Sequence, residues 1–218
     1  MNKKILSAWM VLMGLSIFFY PAMKDYYTSY NQEKMIEKWE DNDNGAAASL
    51  DELEKVFSME TQAETIESEE EKQDDHVPAA VETKQLANGM VGVIEIDKIG
   101  LQLPVLNGAS MTNLDHGAGV LEGTPMPGMP GNSAIAAHRS RGFGKMFNRL
   151  DEIGTGDTVT VRDKNNTYVY EVYDTVVVEP DDISVLNGSE DEKTLTLITC
   201  TPIDTATHRL IVKARIRP

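Results

Sequence analysis

Thr194–Leu195–Thr196–Leu197–Ile198–Thr199–Cys200 is the stretch on which the fold turns. Leucine and β-branched residues in this order fit a pleated strand. Thr201–Pro202 ends it, because proline has no N–H for a sheet ladder. Cys200 therefore stands where a strand passes into a loop, a place from which a side chain can face a cleft. It is also the single cysteine of the 218-residue chain. An intramolecular disulfide and a four-cysteine zinc site are both excluded, and the fold must rest on its apolar core.

Outward from this strand the same texture repeats. Residues 91–96 (VGVIEI) alternate as a strand, and 101–105 (LQLPV) follow after a Lys-Ile-Gly turn. Further strands are expected at 120–122, 133–138, 157–162, 167–178 and 209–216, with Gly, Pro, Asn and Asp in the gaps. Residues 145–153 (KMFNRLDEI) predict the one clear helix, with Met146, Phe147, Leu150 and Ile153 on one face. About eight short strands in roughly 130 residues imply a mainly β fold, a closed or nearly closed eight-stranded β-barrel with short helices.

The region before residue 89 has a different character. Ile5 to Met23 carries no charge and follows Lys3 and Lys4. Nineteen helical residues reach about 28 Å, close to the hydrocarbon thickness of a bilayer. The expectation is an N-terminal transmembrane anchor over residues 1–24, a cytoplasmic N-terminus and an extracellular catalytic domain on a single-pass membrane protein. Residues 25–88 read as an acidic, largely disordered stalk, with a short helix at 51–59. From Glu40 to Asp75 there are 14 acidic residues against Lys55 and Lys72, a net of −12 within a formal chain total of −15. A balance this acidic argues against nucleic acid as a partner. Residues 89–218 are left as the catalytic barrel.

A cysteine nucleophile needs a base or a cation, since a free thiol is mostly protonated near neutral pH. Of the four histidines, His76 falls in the stalk and His116 in a Gly-rich turn. His138 ends the small-residue run Ser133–Ala134–Ile135–Ala136–Ala137 at another strand end, and His208 opens the last strand as its competitor. Arg209 follows, on the opposite side from His208 in a regular strand. Its planar, permanently charged guanidinium suits a carbonyl oxygen or a developing oxyanion.

Thr196–Leu197–Ile198–Thr199–Cys200 matches the TLxTC signature of sortases, the cysteine transpeptidases that attach proteins to the Gram-positive cell wall. Ala136–Ala137–His138 resembles the family's histidine motif, with Ala137 where glycine is frequent. Thr207–His208–Arg209–Leu210 resembles its arginine strand, and the three motifs come in the family order. The resemblance implies that Cys200 attacks the Thr–Gly carbonyl of an LPXTG-like sorting signal to form a thioacyl intermediate. It implies His138 as general acid and then base, and Arg209 as holder of the substrate backbone or oxyanion. Ala136, Thr196, Ile198 and Thr199 match positions that line or approach the signal groove, although β-branched residues there also serve simply as strand formers. The implied partners are surface proteins bearing LPXTG-like signals and a cell-wall precursor amine.

No cofactor is implied, although the acidic loop from Glu179 to Lys193 corresponds to a segment near which some relatives bind calcium. No lid motif of Asp-Pro-aromatic type lies between Asp25 and Asn88, which favours a single-span wall-anchoring enzyme. His138–Arg139–Ser140–Arg141 and Cys200–Thr201–Pro202 are similar to pilus-type sequences, so a pilin polymerase using a pilin lysine is the runner-up. A non-enzymatic surface module displaying a peptide groove is the competing class, and a plain hydrolase of cell-wall peptides is the third.

Overall fold

In β1 (Met90–Ile96), Val93 and Ile94 are both fully buried although neighbours in a strand point to opposite faces. A strand buried on both faces needs cover on both, and the computed structural model, which describes residues 3–41, 89–139 and 146–217, supplies it. Ile94 and Ile96 enter the main core, whereas Met90 and Val93 pack with Leu106 under Met35, Ile36 and Trp39 of an N-terminal helix.

The strands after β1 are β2 (Leu101–Asn107), β3 (Ala118–Val120), β4 (Gly131–Ala136), β5 (Thr158–Arg162), β6 (Thr167–Val178), β7 (Lys193–Thr201) and β8 (His208–Ile216). They close into a barrel in the order β1-β2-β3-β4-β7-β8-β6-β5, so the expected eight-stranded barrel stands. The turn between β1 and β2 ends on Gly100 at φ 59°, a left-handed conformation that glycine adopts without a Cβ penalty. Only β2–β3 and β4–β7 pair in parallel. Leu195 and Leu197 of β7 and Leu210, Val212 and Ala214 of β8 fill the interior. The opposite faces of β7 and β8 turn outward, and this outer surface carries the site.

Of the helix expected over residues 145–153, the described residues 146–153 do not form an α-helix. The described part is a turn followed by a 3-10 helix at Leu150–Glu152, with Met146 at φ 50°. Its apolar face is nevertheless buried as read: Met146, Phe147, Leu150 and Ile153 all lie in the core. Burial of this stripe required only that four side chains point inward, which an irregular turn does as well as a helix. A short helix α2 (Met111–His116) stands between β2 and β3, where a Gly-rich turn is expected for His116. Ser110 caps it by accepting from the Asn113 N–H at 3.2 Å.

The N-terminal expectation is corrected. The helix α1 runs unbroken from Lys3 to Asp41, well past the uncharged run. Among the described residues no helix is long and apolar enough to cross a membrane. The transmembrane anchor, the attachment to a membrane through it and the single-pass localisation derived from it are therefore withdrawn. Trp9, Gly14, Ser16 and Tyr20 dilute the aliphatic residues, and the helix goes on through Lys24 to a polar end that lies on the barrel. There Gln32, Met35, Ile36 and Trp39, spaced i, i+3, i+4, i+7, are buried. Trp39 donates its indole N–H to the Met90 carbonyl at 3.2 Å, Lys164 sits 4.2 Å above its ring, and Arg162 pairs with Glu40 at 2.9 Å. The short helix expected at 51–59, His76 and the remainder of the stalk from residue 42 lie outside the described residues.

Candidate active site

Cys200 and Arg209 come from adjacent antiparallel strands and are direct Cα partners. Residues opposed in this way project to the same face of a sheet. The preceding rung on that face pairs Ile198 with Ile211. His208 pairs with Thr201 one position on, so strand alternation sends it to the other face from Cys200. Its ring instead meets Glu179, with Nε2 3.3 Å from Oε1.

His138 approaches the Cys200 strand along the other neighbour of β7. In the parallel β4–β7 pair, Ala136 partners Ile198, and the Ala137 N–H donates to the Ile198 carbonyl at 3.2 Å. Continuing that register by two residues brings the His138 backbone alongside Cys200. The imidazole is partly exposed, and its Nε2 lies 3.9 Å from Asp115 Oδ1 on α2. Cys200 is half-buried with a free thiol. The three residues singled out from sequence thus lie at one end of the barrel, on β7, on β8 and just past the end of β4.

Below this cluster an apolar groove of about 240 Å³ runs along the outer face, with Leu121, Val185, Leu186, Ile198 and Ile211 among its walls and Arg209 at its border. Its roof is the β6–β7 connection, which contains a 3-10 helix at Ile183–Leu186. Asp182 caps that turn, and its hydrogen bonds from Ser184 hold the carboxyl below its ordinary value. Asn132, buried at the start of β4, ties the roof down. Its amide donates to the Val185 carbonyl at 3.1 Å, while its Oδ1 accepts from Thr194 at 3.2 Å and Thr196 at 2.9 Å.

The four expected groove residues therefore divide. Ile198 lines the groove, and Ala136 sits half-buried at the end of β4 beside it. Thr196 is 1% exposed, with its hydroxyl spent on Asn132. Thr199 is 2% exposed and donates to the Ala137 carbonyl at 2.9 Å. Both threonines hold strands together at the site. Asn132 and Arg139 were not singled out from sequence. A polar residue within an otherwise apolar strand is a weak signal for the first, and an arginine directly after the histidine for the second. Among the described residues no group of three or more His, Cys, Asp or Glu side chains is placed to hold a metal ion, and that includes the acidic loop above the groove.

Comparison with known proteins gives this arrangement a family. The family model of the sortase domain matches residues 94–217. The chain is 31% identical to sortase A of Streptococcus agalactiae over 141 residues, covering 63% of this chain and 57% of that protein. It is 25% identical to sortase A of Listeria monocytogenes over 217 residues, 97% of this chain and 90% of the relative. The chain spans 57% of the first of these and 54% of sortase D of Bacillus subtilis, little more than half the length of either. Among solved structures, a sortase D5 transpeptidase of Clostridium perfringens superposes with a TM-score of 0.55 at 32% identity, covering 65% of this chain and 90% of that one. Sortase C of Streptococcus pneumoniae superposes with a TM-score of 0.57 at 33% identity, covering 60% and 70%. A matched domain that begins inside β1, ends just past β8 and encloses His138, Cys200 and Arg209 places this chain in the sortase family of cysteine transpeptidases.

Proposed function

We propose that the chain is a transpeptidase that cleaves an LPXTG-like sorting signal between Thr and Gly and passes the acyl group to a cell-wall amine. The observation that carries this reading is the rung that sets Cys200 opposite Arg209 at the head of an apolar groove, with the His138 segment hydrogen-bonded to the same strand.

The Cys200 thiolate attacks the threonine carbonyl, and the carbonyl π electrons move onto oxygen. Arg209 holds that oxyanion. It spends Nη1 on the carbonyls of Ala206 and His208, both at 3.1 Å, which fixes the guanidinium plane and leaves Nε and Nη2 as the proposed donors to substrate. As the C–N bond breaks, the His138 imidazolium gives its proton to the departing glycine amine. The thioester conserves acyl-transfer potential, so no nucleotide is consumed. An incoming amine then attacks the thioester carbon, His138 takes a proton from it, and the Cys200 thiolate leaves. The groove under the β6–β7 connection, apolar along Leu121, Ile198 and Ile211, suits the leucine and proline of such a signal.

The test is incubation of the whole chain with LPXTG-type peptides, with and without amines, read by mass spectrometry. A thioacyl adduct on Cys200 and an amine-dependent transfer product are expected. Unchanged peptides throughout the panel would sink the reading. Water-only products would leave the hydrolase. A second acceptor class is favoured by the similarity to sortase C structures. Transfer to the lysine of a pilin-derived peptide in preference to a cell-wall amine would identify it.

A further inference from the structure

The residues on either side of His138 are tied to the residues on either side of Cys200. On the upstream side, the Thr199 hydroxyl donates to the Ala137 carbonyl at 2.9 Å. On the downstream side, Arg139 Nη1 donates to the Thr201 hydroxyl at 3.0 Å. His138 and Cys200 are each the middle residue of a bracketed triplet. Alternation sends Thr199 and Thr201 to one face of β7 and Cys200 to the other, so the two ties are made behind the reacting side chains.

The Arg139 tie is the more elaborate. Its side chain is only 9% exposed, although an arginine after a strand end would ordinarily reach into water. Besides Thr201, it donates through Nε to the Asn148 carbonyl at 3.2 Å and pairs through Nη2 with Asp151 at 2.8 Å. Nearby, the Phe147 N–H donates to the His138 carbonyl itself at 3.0 Å. One planar guanidinium therefore joins the β4 exit, the β7 exit and the segment leading to β5. A lysine ammonium, a single point on a flexible stem, cannot make this three-way fork.

Resting on the proposed transpeptidase chemistry, the geometry points to Arg139 as a positioning residue that sets the distance between His138 and Cys200 through Thr201. It touches neither substrate nor reacting atoms. Without it the His138 segment is held to β7 on one side only, and proton exchange between imidazole and thiol loses its fixed geometry. Misplacement on the scale of 1 Å at a reacting pair lowers turnover by roughly a hundredfold.

The experiment uses the full chain and its variants Arg139→Lys, Arg139→Met and Thr201→Val. Three readouts are taken: kcat and KM for transfer from an LPXTG-type peptide, the pH profile of Cys200 alkylation by iodoacetamide, and the thermal midpoint. For Arg139→Met the expected loss is ten- to hundredfold, roughly, in kcat with KM little changed. Arg139→Lys is expected to recover little of it, and Thr201→Val to reproduce a smaller loss of the same kind. The alkylation profile is expected to move in all three variants, because the His138 segment no longer keeps its place beside Cys200. If Arg139→Met fails to fold, Thr201→Val decides, since it keeps Arg139 with Asn148 and Asp151. Parental kcat and alkylation profiles in folded variants would overturn the inference, as would a loss confined to KM. A parental chain that leaves all peptides intact refutes the transpeptidase reading, and the alkylation profiles then still decide the role of Arg139.

Discussion

Cys200 and Arg209 stand on one rung of the β7–β8 ladder, so their separation is fixed by backbone pairing. In an antiparallel pair that places the two Cα atoms about 4.5 to 5.5 Å apart. A charge alone at position 209 does not reproduce this site, because the guanidinium plane is oriented by the Ala206 and His208 carbonyls. Arg209→Lys is expected to lower kcat for peptide transfer by about a hundredfold, with an unchanged thermal midpoint. Steady-state kinetics on the folded variant checks this, and parental turnover would refute it. Cys200→Ala is expected to give no thioacyl adduct at all.

The two histidines near Cys200 separate cleanly. His138→Gln is expected to lower turnover by roughly a thousandfold through loss of the proposed proton donor and acceptor. His208→Gln removes the pairing with Glu179 and the contact with the Thr207 hydroxyl at the groove's edge and is expected to keep kcat near the parental value. Comparing kcat for the two variants under identical conditions is sufficient, and equal losses would contradict the assignment.

Docking of α1 on the barrel has a measurable energy. Trp39 is 6% exposed, packs with Met90, Val93 and Leu106 and donates to the Met90 carbonyl. Trp39→Ala is expected to destabilise the fold by about 3 kcal/mol, read from urea denaturation. Trp9→Ala, at a position 69% exposed on the same helix, serves as the control with little change in midpoint. Identical midpoints for both would show that the helix end is not held.

Asp157 predicts an acid-side loss of stability. Its carboxyl is held below the ordinary value of 3.8, first by Lys98, whose ammonium lies at 2.7 Å, and then by the Gly154 N–H. The folded chain binds this proton less readily than the unfolded one. The contribution is therefore complete above the ordinary carboxylate value and disappears as pH falls through the lower folded value. Asp157→Asn is expected to cost about 0.5 to 1 kcal/mol at neutral pH, as for a partly exposed pair. The gap to the parent should close as pH drops below the carboxylate range. Urea midpoints collected along that pH series test it, and a gap independent of pH would be the contrary result.

Much of the barrel was legible because leucine and β-branched residues reported their own strands. The Leu195–Leu197 alternation marks the inner face of β7, and Leu210–Val212–Ala214 that of β8. Residues 145–153 were legible in what they bury but not in the backbone that buries it. An i, i+3, i+4 stripe does not distinguish a helix from a turn joined to a 3-10 segment. The end of α1 was misread for the opposite reason. Gln32, Met35, Ile36 and Trp39 carry a full helical stripe, yet its partner surface on Met90, Val93 and Leu106 lies more than 50 residues away in sequence. The order of His138, Cys200 and Arg209 could be read directly. That Thr196 and Thr199 would be consumed by Asn132 and Ala137 could not, since strand pairing across a parallel crossover decides it.

Closure of the barrel has one more consequence. Every strand from β1 to β8 has neighbours on both sides, and β5 returns to β1. Most strand edges are therefore already paired, and a ligand peptide finds little main-chain ladder to extend beyond residues 174–178 of β6, which are laddered to β8 alone. Recognition falls instead to side chains and the roof over the outer face, where individual substitutions can retune selectivity without unzipping the sheet.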